Sequence, residues 1–158
     1  MTVGLRLAAA LVAAFFAIAA AAQTPSVTLD GTVKAPRAFT LDDLQLMPAE
    51  TVEVSYQTDR GPVTARFTGV LLWTLIAAAG GIDDSGKGAE LRHAIRITAT
   101  DGYVVVTSTG ELAPDFGGKP ALLAYRRDGQ PLPDLRIVMP GDKHGGRNVR
   151  EVTAIRIE

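Results

Sequence analysis

Short segments with an apolar side chain at every second position recur along this chain and constrain it to a strand-rich fold. In SVTLDGTV, Val27, Leu29, Gly31 and Val33 alternate with their neighbours, the period of a strand that buries one face. VEVSYQTDRGPVTARF carries that period twice, on Val52, Val54 and Tyr56 and again on Val63, Ala65 and Phe67. The TDRG between the two sets marks the bend of a hairpin. AIRITATDGYVVVTS predicts a strand on either side of Asp101-Gly102, and ALLAYRRDGQPL a strand ending in an Asp128-Gly129 turn. Arg126 and Arg127 read as part of that solvated turn. LRIVMP and VTAIRIE predict the last two strands.

Only two segments predict helices. In FTLDDLQLMP, Thr40 is placed to cap a short helix, Asp43 to complete a capping box, and Pro48 follows its end. In TGVLLWTLIAAAGG, Leu71, Leu72, Leu75, Ile76 and Ala79 recur at helical spacing, and Gly80-Gly81 supplies the stop. Trp73 on this helix reads either as core or, if exposed, as a platform on which a flat ring stacks. With no regular alternation of strand and helix, the class is α+β and not a doubly wound parallel sheet.

The N-terminal MTVGLRLAAALVAAFFAIAAAAQ has one basic residue, Arg6, an apolar run and a small-residue site at Ala20 to Ala22. This is the pattern of a secretory signal peptide over residues 1–22. Its core, Leu7 to Ala22, is shorter than the roughly 20 residues that span a bilayer. Residues 23–158 are expected to form one exported domain, periplasmic or secreted, without membrane association once the leader is removed. The net charge is −1, and loss of Arg6 makes it one unit more negative. That balance offers no electrostatic footprint for nucleic acid or an anionic membrane surface.

The chain has no cysteine, which removes thiolate nucleophiles, thiolate metal ligands and redox pairs. His93 and His144 are the only histidines; no G-x-S-x-G, H-E-x-x-H, Walker loop or G-x-G-x-x-G accompanies them. No catalytic residue and no metal ligand is therefore expected. Of the paired acids, Asp42-Asp43 suits a helix start, and Asp83-Asp84 reads as a solvated loop.

One loop gathers potential binding groups. PGDKHGGRNVR, Pro140 to Arg150, combines Gly141, Gly145 and Gly146 with Lys143, His144, Arg147 and Arg150. Glycines let backbone N–H groups turn inward as an anion-binding nest. Arg147 has the geometry for bidentate phosphate binding, with Lys143 and Arg150 as further charges. NVRE is placed to start a helical turn whose free N–H groups favour an anion. The bland alternative is a soluble loop between strands. TDGY, Thr100 to Tyr103, is equally open: Asp101-Gly102 is a turn signal, and Tyr103 is either core or ligand contact.

Taken in order, FTGVLLWTLIAAAGG, ATDGYVVV, ALLAYRRDGQPLP and LRIVMPGDKHGGRNVREVTAIRIE resemble the sulfite-oxidase-type molybdopterin-binding domain. The resemblance begins at about VTLDGTV and covers nearly all of the chain beyond the leader. It implies a mixed α+β fold and a pterin cofactor whose phosphate sits against the loop before the last strand. It places His144, Gly146, Arg147, Asn148 and Arg150 at phosphate- or pterin-contacting positions. Catalytic members place a molybdenum-ligating cysteine where this chain has VEVSYQTDRGPV, with Ser55 or Tyr56 near that position. Hydroxyls are poor substitutes for a soft thiolate, so molybdenum is not expected. Nor are the dimerisation and haem domains of the larger sulfite oxidases.

The resulting expectation is a non-catalytic receptor or carrier for a pterin or similar flat, anionic heterocycle, with Tyr56, Trp73 or Tyr103 stacking on it. A membrane receptor or redox protein would be its partner. Two other readings stay open: a molybdopterin-dependent oxidoreductase subunit, and a degenerate protein–protein interaction module.

Overall fold

The alternating segments pair into two sheets. The computed structural model describes residues 24–158; the predicted leader lies outside them. The strands β1 (Ser26–Gly31), β2 (Arg37–Thr40), β5 (Ala94–Ala99), β6 (Val104–Ser108) and β9 (Val152–Ile157) form a five-stranded sheet in the order β2-β1-β9-β5-β6. Within it β1 and β9 run parallel, and the other neighbours are antiparallel. The strands β3 (Glu50–Thr58), β4 (Gly61–Leu71), β7 (Leu122–Arg127) and β8 (Gln130–Val138) form a second, antiparallel sheet in the order β3-β4-β7-β8.

The predicted hairpin is β3–β4, with Val52 opposite Phe67, Val54 opposite Ala65 and Tyr56 opposite Val63. Both apolar sets therefore lie on one face. Strand periodicity then gives the four-stranded sheet two distinct sides. Leu135 and Ile137 of β8 join the main core, which also holds Leu29, Leu75, Ile95, Ile97 and Ile155. Val138 joins a smaller cluster with Val54, Tyr56 and Phe67, and Arg136, two residues before it, shares that side.

The helix α1 (Leu41–Leu46) begins as predicted: Thr40 Oγ1 accepts from the Asp43 N–H at 3.2 Å, and the Asp43 carboxylate accepts from the Thr40 N–H at 2.8 Å. The second helix, α2 (Leu72–Ala78), starts later than its apolar pattern predicts, because Thr68 to Leu71 extend β4. Gly69 makes that pairing fit: a Cβ there would lie 2.2 Å from the Leu123 carbonyl oxygen. Leu72, Leu75 and Ile76 are buried as predicted, and the Gly81 N–H closes the helix end on the Ile76 carbonyl at 2.9 Å.

Four short elements escaped the sequence reading: β2, the helix α3 (Thr109–Leu112), and 3-10 turns at Ala89–Leu91 and Gly145–Arg147. The last corrects the expectation that NVRE starts a turn. The turn precedes Asn148, whose N–H donates to the Gly145 carbonyl at 3.0 Å. Nor is Asp84 merely solvated. It accepts from the Gly86 N–H at 2.8 Å, from Arg92 at 2.6 Å, and faces His93 Nε2 at 3.0 Å.

Candidate functional site

The loop from Pro140 to Arg150 is held against the end of the hairpin. The Gln57 N–H donates to the Lys143 carbonyl at 2.9 Å, and Gln57 bridges His144. Gly145 then lies on the Tyr56 ring, where a Cβ would come within 2.9 Å of two ring carbons. Close approach is what this glycine provides. Among the three loop glycines only Gly141 has positive φ, at 85°. The backbone alternation of an anion nest is thus not formed at Gly145 and Gly146, contrary to the sequence reading.

Between loop and hairpin lies a cleft of about 800 Å³. Tyr56, His144, Gly146, Asn148 and Arg150 line it, as the sequence suggested, but so do Arg60, Arg127 and Arg136, which it did not. The one carboxylate in the lining is that of Asp59. Arg136 is only 6% exposed, and its Nε has no hydrogen-bond partner. Its guanidinium carbon lies 5.5 Å from the Phe67 ring centroid, and that of Arg127 lies 5.8 Å from the same ring. Burial first, and then repulsion from Arg150 and, less strongly, Arg127, holds the Arg136 guanidinium below its ordinary basicity.

Asn148 repeats the pattern. It is 9% exposed, its Oδ1 accepts from the Met139 N–H at 2.8 Å, and its buried Nδ2 has no partner. Buried polar groups are nearly always satisfied, so an orphan calls for an explanation. Here both orphans are donors, and both residues line one cationic cleft. The chemistry that satisfies them is an acceptor-rich, anionic ligand.

Arg147 does something else. Its Nε and Nη2 donate to Asp142 at 2.7 and 2.5 Å, and its Nη1 donates to Glu111 of α3 at 3.0 Å. Lys119 adds contacts of 2.5 Å to Glu111 and 3.5 Å to Asp142. Burial raises the Glu111 pKa, but hydrogen bonds from Arg147, Lys119 and Thr107 outweigh it and bring the carboxyl down to about 2. The Asp142 carboxyl is lowered too, chiefly by its hydrogen bond from Arg147. Arg147 is a tie between loop and α3 and lines no part of the cleft. Lys143 shares this outer side of the loop.

Asp101 and Tyr103 border an adjoining hollow of about 310 Å³ that shares Gly146, Asn148 and Arg150 with the cleft. The Tyr103 hydroxyl donates to the Gly146 carbonyl at 2.9 Å, and Tyr103 is 48% exposed, so it is not core. Trp73 stands apart. It packs against the main core and lines a different hollow with Lys34 and Ile82, so the structure does not bring it to the loop as a stacking platform. Of the two hydroxyl positions in β3, Ser55 is turned away and bonds Thr64 at 2.8 Å. Only Tyr56 reaches the cleft.

The family model for the oxidoreductase molybdopterin-binding domain matches residues 16–158. The chain belongs to this family. A solved structure similar in fold is the sulfane dehydrogenase SoxCD from Paracoccus pantotrophus, superposing with a TM-score of 0.70 at 21% identity. The match covers 89% of this chain but only 40% of that one. No curated protein matches in sequence. For a molybdopterin-binding domain, the cleft fits the organic, phosphate-bearing part of the cofactor through the orphan donors of Arg136 and Asn148. It does not fit a metal held by a protein thiolate, because the sequence contains no cysteine.

Proposed function

We propose that this domain is an exported receptor or carrier for a pterin or similar flat heterocycle with an anionic end, and not a catalyst. One observation carries the reading: Arg136 and Asn148, two buried side chains that each keep an unpartnered donor, line a single cleft with further cations. Burying a guanidinium without a counter-charge is costly, and a bound anion removes the cost. Arg136, Arg150 and Asn148 would hold the anionic end. Tyr56 would bound the heterocycle, with Tyr103 and Asp101 at the far side of the Gly145-Gly146 ridge.

Molybdopterin supplies oxo-transfer chemistry when it carries molybdenum. This chain's residues bind and orient an anion and shield it from water. None offers the soft ligand that metal prefers. The orientation role rests on the Arg147 tie, which fixes the loop bearing Asn148 and Arg150. Export also fits the reading, since a carrier meets its partner protein, a membrane receptor or a redox protein, outside the cytoplasm.

The test is mass spectrometry and metal analysis of protein purified from the periplasm of an expressing cell. A bound pterin or related heterocycle without stoichiometric molybdenum is the expected result. Stoichiometric molybdenum would overturn the non-catalytic reading in favour of an oxidoreductase subunit. Absence of any bound heterocycle, with no shift in melting temperature across a pterin panel, would leave a protein–protein module.

A further inference from the structure

The two sheets end in the edge strands β2, β6, β3 and β8. β2 carries Arg37, β3 carries Glu50 and Glu53, and β8 carries Pro131, Pro133 and Asp134. Charge and proline on an edge strand are the usual guards against pairing with another chain. β6, VVVTS, carries neither.

Its outer edge is also open. Ala94 of β5 exchanges both backbone bonds with Glu158, at 3.1 and 2.9 Å, so its polar groups face β9. By strand alternation those of Ile95 and Ile97 face β6, where they meet Thr107 and Val105. The N–H and C=O groups of Val104 and Val106 therefore point away from the sheet. Among the described residues no other backbone group reaches them. The two valine side chains are 39% and 50% exposed. Arg96, beside Val106 on β5, is held by Glu158 at 2.6 Å, so no free charge flanks them there.

We propose that β6 pairs antiparallel with β6 of a second copy, about a twofold axis at Val106. Val106 exchanges both backbone bonds with its counterpart, and Val104 falls opposite Ser108 of the second copy. This register sets no like charges against one another and brings the exposed valines of the two copies together. A neutral, β-branched strand is its own complement, as an isologous contact requires. An edge this short buries less than the roughly 1,600 Å² of a standard interface, so the association is weak and depends on concentration.

Sedimentation velocity over a concentration series, with amide hydrogen exchange, tests it on protein purified from the periplasm. Dimers are expected as concentration rises. The Val106 amide should then exchange about tenfold more slowly, while those of Val105 and Thr107, already bonded to β5, change little. Val106→Lys sets two ammonium groups opposite one another and should weaken association about tenfold or more, with the melting temperature unchanged. Leu46→Lys alters the most exposed of the large apolar side chains, in α1 beyond the far edge strand β2, and should leave association as it was. Monomer at every concentration would overturn the proposal. So would a dimer indifferent to Val106→Lys, which must use another surface. Slow exchange at Val106 in a monomer would assign the edge to a segment of the same chain and equally sink the second copy.

Discussion

Removing the Arg147 guanidinium leaves Glu111 and Asp142 facing one another across Lys119 alone. Their hydrogen bonds to Arg147 are charge-assisted and partly shielded, at side-chain exposures of 27% and 16%. Charged hydrogen bonds of this kind contribute roughly 1.5–3 kcal/mol each, and not additively. Arg147→Ala is therefore expected to lower unfolding free energy by about 2 kcal/mol in urea denaturation. Phosphate affinity should fall less than in Arg150→Ala, because only Arg150 lines the cleft. The same cluster sets a pH dependence. The folded-state pKa of Glu111, about 2, lies below its ordinary 4.5. Its contribution is thus present above about pH 4.5 and is lost as pH falls through about 2. Glu111→Gln should flatten the acid limb of stability between those values by about 2 kcal/mol after solvent screening. An unchanged limb would mean that other carboxylates carry it.

At the scale of elements, the meeting of β3 with the loop depends on one missing methyl. A Cβ at Gly145 would press on the Tyr56 ring at 2.9 Å, whereas one at Gly146 would find its nearest neighbour, the Tyr103 hydroxyl, at 3.8 Å. Gly145→Ala is expected to cost about 1–3 kcal/mol through overpacking. Gly146→Ala should stay within roughly 0.5 kcal/mol of the parent in thermal denaturation. Sequence could not separate these two glycines, because the difference lies in what crosses above each. What it revealed was local: the hairpin, from two period-2 runs around TDRG, and the α1 start, from Thr40 and Asp43. It misplaced the start of α2 because Thr68 to Leu71 are apolar enough for either structure, and the backbone of Leu123 decides. It read Arg126-Arg127 as a solvated turn, yet the irregular register between Ala124 and Arg126 leaves Arg127 over Phe67. Nothing in LRIVMP marks Arg136 as buried. Its burial follows from sheet order, which no single segment encodes.

The whole molecule keeps a buried cation without a partner on the side of its smaller sheet that the loop covers. Folding alone gains nothing from that arrangement, since replacing buried charges by apolar groups of similar volume is often neutral or stabilising. Arg136→Met preserves length and the contact with Phe67 while removing the charge and its repulsion with Arg150 and Arg127. Without ligand, the variant is expected to be as stable as the parent or more so, by up to about 3 kcal/mol. With inorganic phosphate the gap should close or reverse. Ligand at a hundred times its dissociation constant stabilises the parent by about 2.7 kcal/mol, and the variant, lacking the buried guanidinium, should show no shift in melting temperature. Paired melts with and without phosphate read both effects. A variant that is destabilised yet still responds to phosphate would make Arg136 a structural group. A stabilised, unresponsive one would show that this fold carries Arg136 for its ligand at the expense of its own stability.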